Sequence, residues 1–291
     1  MVSMTAAVGS FLDRSISAIT SKSNNEARKL ATGYSINNAA DDAAGLSISQ
    51  KLKSLIRGYE TVEKNIGDGI SMSQTAEGGL NSIVANLQDL RKLAVQAANG
   101  TNSNSEKGAL QQQASSIISN INDIANQSTF NGKNLLDGST GSVSIQSGTA
   151  TGNTTNINLS GDFAADSLSS ASGLNSGNSG GAAGVAINNI DLVNGNTNDI
   201  LKGIDNAIAN ATAQQSDLGA SQNALESKLE YASVAKEAAM SANSRIADAD
   251  MAASSSRAVG YRITQQFAAA LKAQSNAQAA SVLNLIPKVT K

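Results

Sequence analysis

Two pairs of closely spaced aspartates are the residues of this 291-residue chain whose type and spacing most suggest chemistry. Asp41 and Asp42 are adjacent, and Asp248 and Asp250 are separated by one residue. Paired carboxylates can bind a metal ion, or can share a proton so that one pKa rises. Adjacent helical residues point in different directions, however, and an acidic residue at a helix N-terminus caps it. We therefore expect the first pair to cap a helix and the second pair to make polar contacts at a bend between helices.

The absence of histidine and cysteine removes most of the side chains that enzymes use. Without them no zinc site of the usual kind, no Ser-His-Asp triad and no thiol chemistry can be built. The glycine-rich run at residues 173–184 lacks the Lys-Ser or Lys-Thr pair of a phosphate-binding loop. The sequence therefore predicts a protein that is not an enzyme and that holds neither a cofactor nor a metal ion.

Charge and hydropathy limit the partners of the chain. Its formal net charge is -2, and charged residues make up 15% of the sequence. A surface that binds nucleic acid or anionic lipid is usually basic, so neither partner is expected. No run approaches the roughly 18 consecutive apolar residues that span a bilayer, so no membrane insertion is expected. The first fifteen residues, MVSMTAAVGSFLDRS, also lack the cationic start and the apolar run of a secretory signal.

Apolar residues recur at seven-residue intervals between residues 52 and 97, in two sets that are three residues apart. The first set is Leu52, Tyr59, Ile66, Ser73, Leu80, Leu87 and Ala94, and the second is Leu55, Val62, Gly69, Ala76, Ile83, Leu90 and Ala97. This pattern is typical of a long helix that packs along a coiled-coil seam. A turn sequence at residues 99–102 ends that helix, and a second helix starting near Ser105 should pack against it in the antiparallel direction.

A third long helix is predicted from about residue 198 to residue 246. One of its two seam stripes is almost wholly apolar, and the other contains Gln215, Gln222, Lys236 and Asn243. Polar residues within a seam usually set the register of the helices at some cost in stability. We therefore expect these four residues to fix how this helix pairs with its neighbour.

The region between the helices changes character after Phe130. Val143 with Ile145, and Ile157 with Leu159, form two short alternating runs that predict a β-hairpin. Residues 160–190 are rich in Ser, Gly, Ala and Asn, and so are expected to form an exposed loop.

Narrow apolar stripes also occur at both ends of the chain. Their members are Leu12, Ile16, Ile19 and Leu30 near the start, and Val259, Ile263, Phe267, Leu271, Val282 and Leu285 near the end. Each stripe is too narrow to fold alone, so we expect the terminal segments to pair and to pack against other copies of the chain. The predicted fold is mainly α: a long antiparallel helical rod, similar to a coiled-coil bundle, with a β-hairpin and paired N- and C-terminal segments.

Five segments of the sequence resemble bacterial flagellins. KLATGYSINNAADDAAGLSIS at residues 29–49 resembles the family signature, and DGISMSQTAEGGLNSIVANLQDLRKLAVQAANGTNS at residues 68–103 continues it. FNGKNLLDG at residues 130–138 is similar to the turn before the flagellin hairpin. SRIADADMAASSS at residues 244–256 and VLNLI at residues 282–286 resemble the C-terminal helices of the family.

The resemblance implies a structural subunit that polymerises with itself into the extracellular flagellar filament used for motility. Residues 1–40 with 255–291 would form the filament core, residues 41–160 with 191–254 a helical rod with the hairpin, and residues 161–190 a surface loop in place of outer domains. Export would use the type III channel of the flagellum, without a cleaved signal peptide. Implied partners are an export chaperone, the filament cap and the hook-junction proteins.

Two further expectations follow from the same resemblance. The Toll-like receptor for flagellin would contact the stretch from Gln88 to Gln96 and an acidic residue of the next helix. Leu93 matches the family there, but Asp89 replaces a usual basic residue and Gln113 a usual Glu, which predicts weak or absent activation. Exposed serines of the loop are candidates for O-glycosylation. They are Ser169, Ser170, Ser172, Ser176 and Ser179.

Two alternatives to a filament subunit remain open on the sequence alone. One is the hook-filament junction protein, which shares the terminal helices, although the strong central signature and the short middle favour flagellin. The other is a coiled-coil scaffold unrelated to flagella. Removal of residues 1–30 should spare the assembly of a scaffold and abolish that of a filament.

Overall fold

Long helices make up most of the computed structural model, which describes residues 2–165, 167–168 and 187–285. The helices are α1 (Val2–Thr32), α2 (Ala43–Ala97), α3 (Asn104–Gln127), α4 (Thr197–Ala247) and α5 (Met251–Leu285). Four short strands, β1 (Thr129–Phe130), β2 (Lys133–Asn134), β3 (Gly141–Gln146) and β4 (Thr154–Leu159), lie between α3 and α4, with one turn of 3-10 helix at Ile187–Asn189. The predicted fold class, mainly α with a β-hairpin, is confirmed.

Contacts divide the chain into two compact units. One contains Met1–Ile56 with Glu237–Lys291, and the other contains Arg57–Lys236. In the second unit, eleven of the fourteen predicted seam positions of α2 lie among its buried residues, from Val62 to Ala97. The three exceptions are Leu52 and Leu55, which belong to the first unit, and Tyr59, which is half-buried against the core of the second. The heptad prediction is therefore confirmed for the part of α2 that lies in the second unit.

Helix α3 returns along α2 in the antiparallel direction, as predicted. Ser103 and Glu106 form a capping box, in which each side chain accepts from the backbone N–H of the other residue. At the other end of α3, the Ser128 hydroxyl lies 2.6 Å from where a Cβ on Gly79 would stand. The buried face of α3 is Leu110, Ala114, Ile118, Ile121 and Ala125.

The polar seam residues of α4 each bind a polar residue of α2. Gln215 Nε2 donates to Asn81 Oδ1 at 3.0 Å, and Gln222 Nε2 donates to Glu77 Oε2 at 3.1 Å. Lys236 Nζ binds Glu63 Oε2 at 2.6 Å, and Asn243 Oδ1 accepts from the Ser49 hydroxyl at 2.7 Å. Residue numbers fall along α2 as they rise along α4, so the two helices are antiparallel. The expectation that these four residues fix the pairing agrees with this one-to-one match.

Two hairpins follow α3. β1 and β2 are joined by Asn131 and Gly132, whose φ angles of 48° and 76° identify the Asn-Gly turn that matches the twist of paired strands. β3 and β4 are antiparallel, with Val143 opposite Ile157. Ile157 and Leu159 are fully buried, whereas Val143 and Ile145 are half-buried. The predicted hairpin is therefore confirmed.

The segment predicted as an exposed loop is buried at both described ends. Phe163, Ala165 and Leu168 before the loop, and Ile187 and Ile190 after it, are at most 4% exposed. The prediction was wrong there because it rested on average composition, and isolated apolar residues in a polar segment can still join a core. The ends are held in place because Ala165 N donates to Asn122 Oδ1 and Gln111 Nε2 donates to Ile190 O, both at 2.8 Å.

In the first unit, the break between α1 and α2 is bonded to the break between α4 and α5. Ser35 N donates to Ala247 O at 2.7 Å, and Ala249 N donates to Gly33 O at 2.9 Å. These bonds flank an antiparallel bridge between Tyr34 and Asp248. Gly33 has a φ of 75°, a conformation that residues with a side chain rarely adopt, so the glycine permits the turn after α1.

Candidate assembly surface

The two terminal helices, α1 and α5, pair in the antiparallel direction. Lys272 binds Asp13, and the Gln265 side chain donates to the Thr20 hydroxyl at 3.0 Å. Further along, Arg257 Nε lies 3.4 Å from Glu26 Oε2. The pairing predicted for the N- and C-terminal segments is present.

The face of α5 that contacts α1 consists of small and polar residues. Ser254, Ala258 and Ala268 are at most 9% exposed, and Gln265 between them is half-buried. Small side chains let the two helices approach closely, but they bury little apolar area. The α5 side of the contact consequently supplies little of the hydrophobic surface that normally stabilises long helices.

The opposite face of α5 carries the large apolar residues, and it is open to solvent. Val259, Ile263, Phe267 and Leu271 are 52%, 61%, 66% and 44% exposed. They follow one another at four-residue steps, so they form one stripe, which we call the α5 stripe. An exposed continuous apolar stripe of this kind marks an interaction surface.

The remaining predicted core residues are less exposed. Leu12, Ile16, Ile19 and Leu30 of α1 are half-buried. Val282 and Leu285 belong to α5, but they lie outside the residues whose side chains the structure describes. Phe11, which the sequence analysis passed over, is 68% exposed. Phe11 is adjacent to Leu12 in the sequence and so falls outside the apolar stripe of α1. The pairing of α1 with α5 leaves its side chain exposed to solvent.

A groove lies between the terminal helices. It has a volume of about 420 Å³ and is lined by small, apolar and basic residues. Its lining is Ala18, Ile19, Lys22, Arg257, Gly260, Tyr261 and Thr264. The terminal pair thus has an exposed ridge of apolar side chains, the α5 stripe, and a partly apolar groove.

Glu26 is the buried charge of the terminal pair, with 8% of the residue exposed. Burial raises the pKa of its carboxyl, but the hydrogen bond and charge of Lys29 and the charge of Arg257 outweigh burial and hold the pKa below its ordinary value. The carboxylate is therefore stabilised in its ionised form by cations from both helices.

This pKa shift predicts that the terminal pair loosens in acid. Because the pKa is lowered in the folded state, ionised Glu26 contributes stability above the ordinary value of 4.5, and that contribution is lost as the pH falls below it. Hydrogen exchange of α1 amides should accelerate between about pH 5 and pH 3, beyond the intrinsic change in rate. In Glu26→Gln the α1–α5 contact should be weaker at pH 7 and lose this pH dependence, and an unchanged acid response in the variant would contradict the assignment.

The aspartates that suggested a metal site act as caps and turn anchors. Asp42 Oδ1 accepts from Gly45 N at 2.9 Å at the start of α2, and Asp250 Oδ1 accepts from Ala253 N at 2.9 Å at the start of α5. Asp41 Oδ2 accepts from Asn37 N and from Asn38 N, and the first of these bonds is the main reason why its pKa is lowered. Within the described residues, no cluster of three or more acidic residues could hold a metal ion.

The stretch compared with the receptor site lies on α2 in the second unit. Gln88 and Asp89 are exposed, Leu93 is half-buried, and Gln113 is exposed on α3. Asp89 Oδ1 lies 2.8 Å from Lys92 Nζ, so part of its charge is balanced within the helix. The candidate glycosylation serines, residues 169, 170, 172, 176 and 179, lie outside the described residues.

Comparisons with known proteins agree with the pattern of helices. The model of the bacterial flagellin N-terminal helical region matches residues 5–141, and that of the C-terminal helical region matches residues 201–286. Flagellin of Bacillus subtilis is 36% identical over 293 residues, covering 93% of this chain and 95% of that protein. Flagellin of Halalkalibacterium halodurans is 34% identical over 259 residues, 89% of each. Flagellin B of Vibrio cholerae is 48% identical over 124 residues, 43% of this chain and 33% of that protein.

Two solved structures are also similar. The crystal structure of Bacillus cereus flagellin gives a TM-score of 0.46 at 24% identity, covering 58% of this chain and 88% of that one. FliC from Burkholderia pseudomallei gives 0.44 at 25% identity, covering 53% and 99%.

Paired terminal helices with an open apolar stripe define a helical subunit of a self-assembling polymer. The chain belongs to the bacterial flagellin family. It is a structural subunit of the flagellar filament, which is extracellular, and flagellins are structural proteins rather than an enzyme family. No helix among the described residues is long and apolar enough to span a membrane.

Proposed function

We propose that the terminal pair α1–α5 forms the inner core of the filament, with the α5 stripe buried against neighbouring copies. The observation that carries this proposal is the exposure of Val259, Ile263, Phe267 and Leu271 in the single subunit. Four large apolar residues in water are costly, and burial against another copy recovers that free energy. Contacts of this kind between different faces of identical subunits build an open helical lattice.

A second part of the proposal concerns when the terminal helices become fully ordered. Because α5 presents mainly small and polar residues to α1, and the apolar residues of α1 are only half-buried, the pairing of the two helices is weak in the free subunit. The conformational entropy of ordering them is offset only when neighbours supply apolar surface. Polymerisation should therefore need a seed or a salting-out agent, which restrains assembly inside the cell.

The partners and the route of export are proposed on the same basis. A chain that leaves through a narrow type III channel must be unfolded, and weakly paired termini favour unfolding. We include an export chaperone, the filament cap and the hook-junction proteins as partners, because the family resemblance implies them. The domain division is part of the proposal: residues 1–40 with 255–291 as core, and 41–160 with 191–254 as rod. Within 161–190, the surface loop is confined to the stretch between the buried residues Leu168 and Ile187.

Receptor activation is expected to be weak. At the stretch on α2, Asp89 presents an acidic group that is paired with Lys92. Gln113 on α3 supplies no charge. Loss of one charge and reversal of another can each cost about 1 kcal/mol or more in a desolvated interface. A reporter-cell assay should give a response well below that of a strongly sensed flagellin. Asp89→Arg with Gln113→Glu should raise it, and a full response from the unmodified protein would contradict the expectation.

The five loop serines are proposed as O-glycosylation sites on the basis of the family resemblance and of the exposure expected for this segment. Protein taken from filaments should then exceed the sequence mass by whole sugar units, and the added mass should map to residues 169–179. An intact mass equal to the sequence mass would dismiss the proposal.

A further inference from the structure

Three glycines of α2 lie directly beneath the chain segment that contains the β3–β4 hairpin. A Cβ on Gly58 would stand 3.0 Å from Thr149 Cγ2, and one on Gly69 would stand 3.1 Å from Ile145 Cγ1. A Cβ on Gly79 would stand 2.6 Å from Leu136 Cδ1 and 2.6 Å from the Ser128 hydroxyl. At each of the three positions, the atom nearest to an added Cβ belongs to this one segment, and it would have to move to admit the side chain.

Two other glycines of the same helix show that these contacts are not general. Gly67 and Gly78 would have no atom within 4 Å of an added Cβ. Each of them lies one or two residues from a glycine that is covered. The close contacts are therefore confined to one face of α2. Gly67 and Gly78, which lack them, provide matched controls for substitutions at Gly69 and Gly79.

The spacing of the covered glycines keeps them on that face. Gly58, Gly69 and Gly79 are separated by eleven and ten residues, close to three turns of a helix with about 3.6 residues per turn. The residues above them run in order, from Ser128 after α3, through Leu136 and Ile145, to Thr149 at the hairpin tip. The segment thus runs along α2 from the end of α3 to the tip, in the direction opposite to the helix.

The middle contact joins three elements. Beside Ile145, Leu225 Cδ1 of α4 would stand 3.3 Å from a Cβ on Gly69. Gly69 is a position of the α2 seam, so the hairpin side chain enters the line of contact between α2 and α4. The hairpin is also tied to α4, because Gln214 Nε2 donates to Asn158 O at 2.6 Å.

We propose that Gly58, Gly69 and Gly79 form a glycine seat that positions the hairpin at a fixed distance from α2. Glycine in the interior of a helix makes that helix less stable than alanine does. Three glycines on one face of α2 therefore need another contribution to stability that offsets this loss. That contribution is close contact, which lets Ile145 and Leu136 pack on the helix backbone. The seat thereby holds the hairpin as a rigid part of the second unit, and these three residues are positioning residues of the fold.

The test compares each covered glycine with its open neighbour. Gly79→Ala should speed hydrogen exchange in β3 and β4 by about tenfold and lower the thermal midpoint, because the added methyl displaces Leu136 and Ser128. Gly78→Ala, one residue away, should raise the midpoint and leave exchange in the hairpin unchanged. Equal behaviour of the two variants would overturn the proposal.

A second comparison keeps the proposal testable if Gly79→Ala fails to fold. Gly69→Ala should increase exchange in β3 and β4 in the unmodified chain. The increase should be much smaller in an Ile145→Ala background, where the atoms of the hairpin nearest to the added methyl are gone and only Leu225 remains close. In a Val143→Ala background, which shortens the other half-buried aliphatic side chain of β3, the increase should persist. The absence of any coupling between positions 69 and 145 would show that the seat does not position the hairpin.

Discussion

Filament formation by the double variant Ile263→Asn/Phe267→Asn is expected to fail under conditions in which the unmodified protein polymerises. These two residues are 61% and 66% exposed in the subunit, so their replacement leaves its own packing almost unchanged. Burial of an Ile or Phe side chain contributes about 1.5–3 kcal/mol. Loss of both should raise the subunit concentration needed for growth at least about a hundredfold, since 1.4 kcal/mol is a factor of ten. Sedimentation of polymer after seeding measures this concentration directly.

The matched control for this prediction is Gln266→Asn, an exposed polar residue between the two positions. It should polymerise like the unmodified protein. Circular dichroism and the unfolding midpoint of all three proteins should agree, which separates an assembly defect from a folding defect. Normal filaments from the double variant would show that the α5 stripe is not a contact between subunits.

The Lys236→Met variant is expected to lose about 2 kcal/mol of folding free energy. Lys236 and Glu63 pair across α2 and α4 with side chains that are 25% and 22% exposed. Glu63 Oε1 is buried and has no hydrogen-bond partner, so removal of the lysine leaves a largely buried carboxylate without its compensating charge. Breaking a fully buried pair costs about 3–5 kcal/mol, and the remaining exposure of this pair reduces the expected loss. Urea unfolding followed by circular dichroism measures the difference.

Two controls distinguish the ion pair from the loss of a lysine side chain. Lys236→Met combined with Glu63→Leu should recover most of the stability, because neither charge then remains in the seam. Lys202→Met removes a lysine of the same helix whose pair with Asp199 is exposed, and it should change stability by less than about 0.5 kcal/mol. If the double variant is no more stable than the single variant, the carboxylate of Glu63 is not the cause of the loss.

Regular repetition explains why the second unit could be predicted from the sequence. The side of α2 on which a residue lies is set by its position in the seven-residue repeat, so the buried positions can be read from the sequence. The alternating residues of the β3–β4 hairpin, and the cap at Asp42 in the first unit, could be predicted because each depends on residues that are close in the sequence. The four polar seam residues of α4 could be recognised as exceptions, although their individual partners on α2 could not.

Features that depend on residues distant in the sequence could not be predicted. The apolar stripe of α5 could be recognised from its spacing, but the sequence did not show that α1 contacts the face of Ser254 and Ala258 and leaves this stripe exposed. The hydrogen bonds of Ser35 and Ala249 join the α1–α2 connection to the α4–α5 connection. They are made by backbone groups, which every residue has, so the sequence does not reveal them. From the sequence, Gly69 is a seam position without a side chain to pack. The structure shows that Ile145 of the hairpin occupies the space beside it.

The charges of the terminal helices bear on the conditions of assembly. α5 contains Arg257, Arg262 and Lys272 but no acidic residue. The two acidic residues of α1, Asp13 and Glu26, already pair with Lys272 and Arg257. Copies that meet through these helices bring like charges together, and salt screens that repulsion. Salt should therefore favour growth both by screening and by strengthening apolar contacts.

Electron microscopy of the purified protein, before and after addition of ammonium sulfate, tests most directly whether the termini drive polymerisation. A version that lacks residues 1–30 is prepared in parallel. The intact chain should form long uniform tubes, whereas the shortened chain should form none, because α5 has then lost α1. Tubes from both proteins would contradict assembly through the terminal pair, and discrete particles from the intact chain, even with seeds, would contradict self-assembly and favour a junction-protein role.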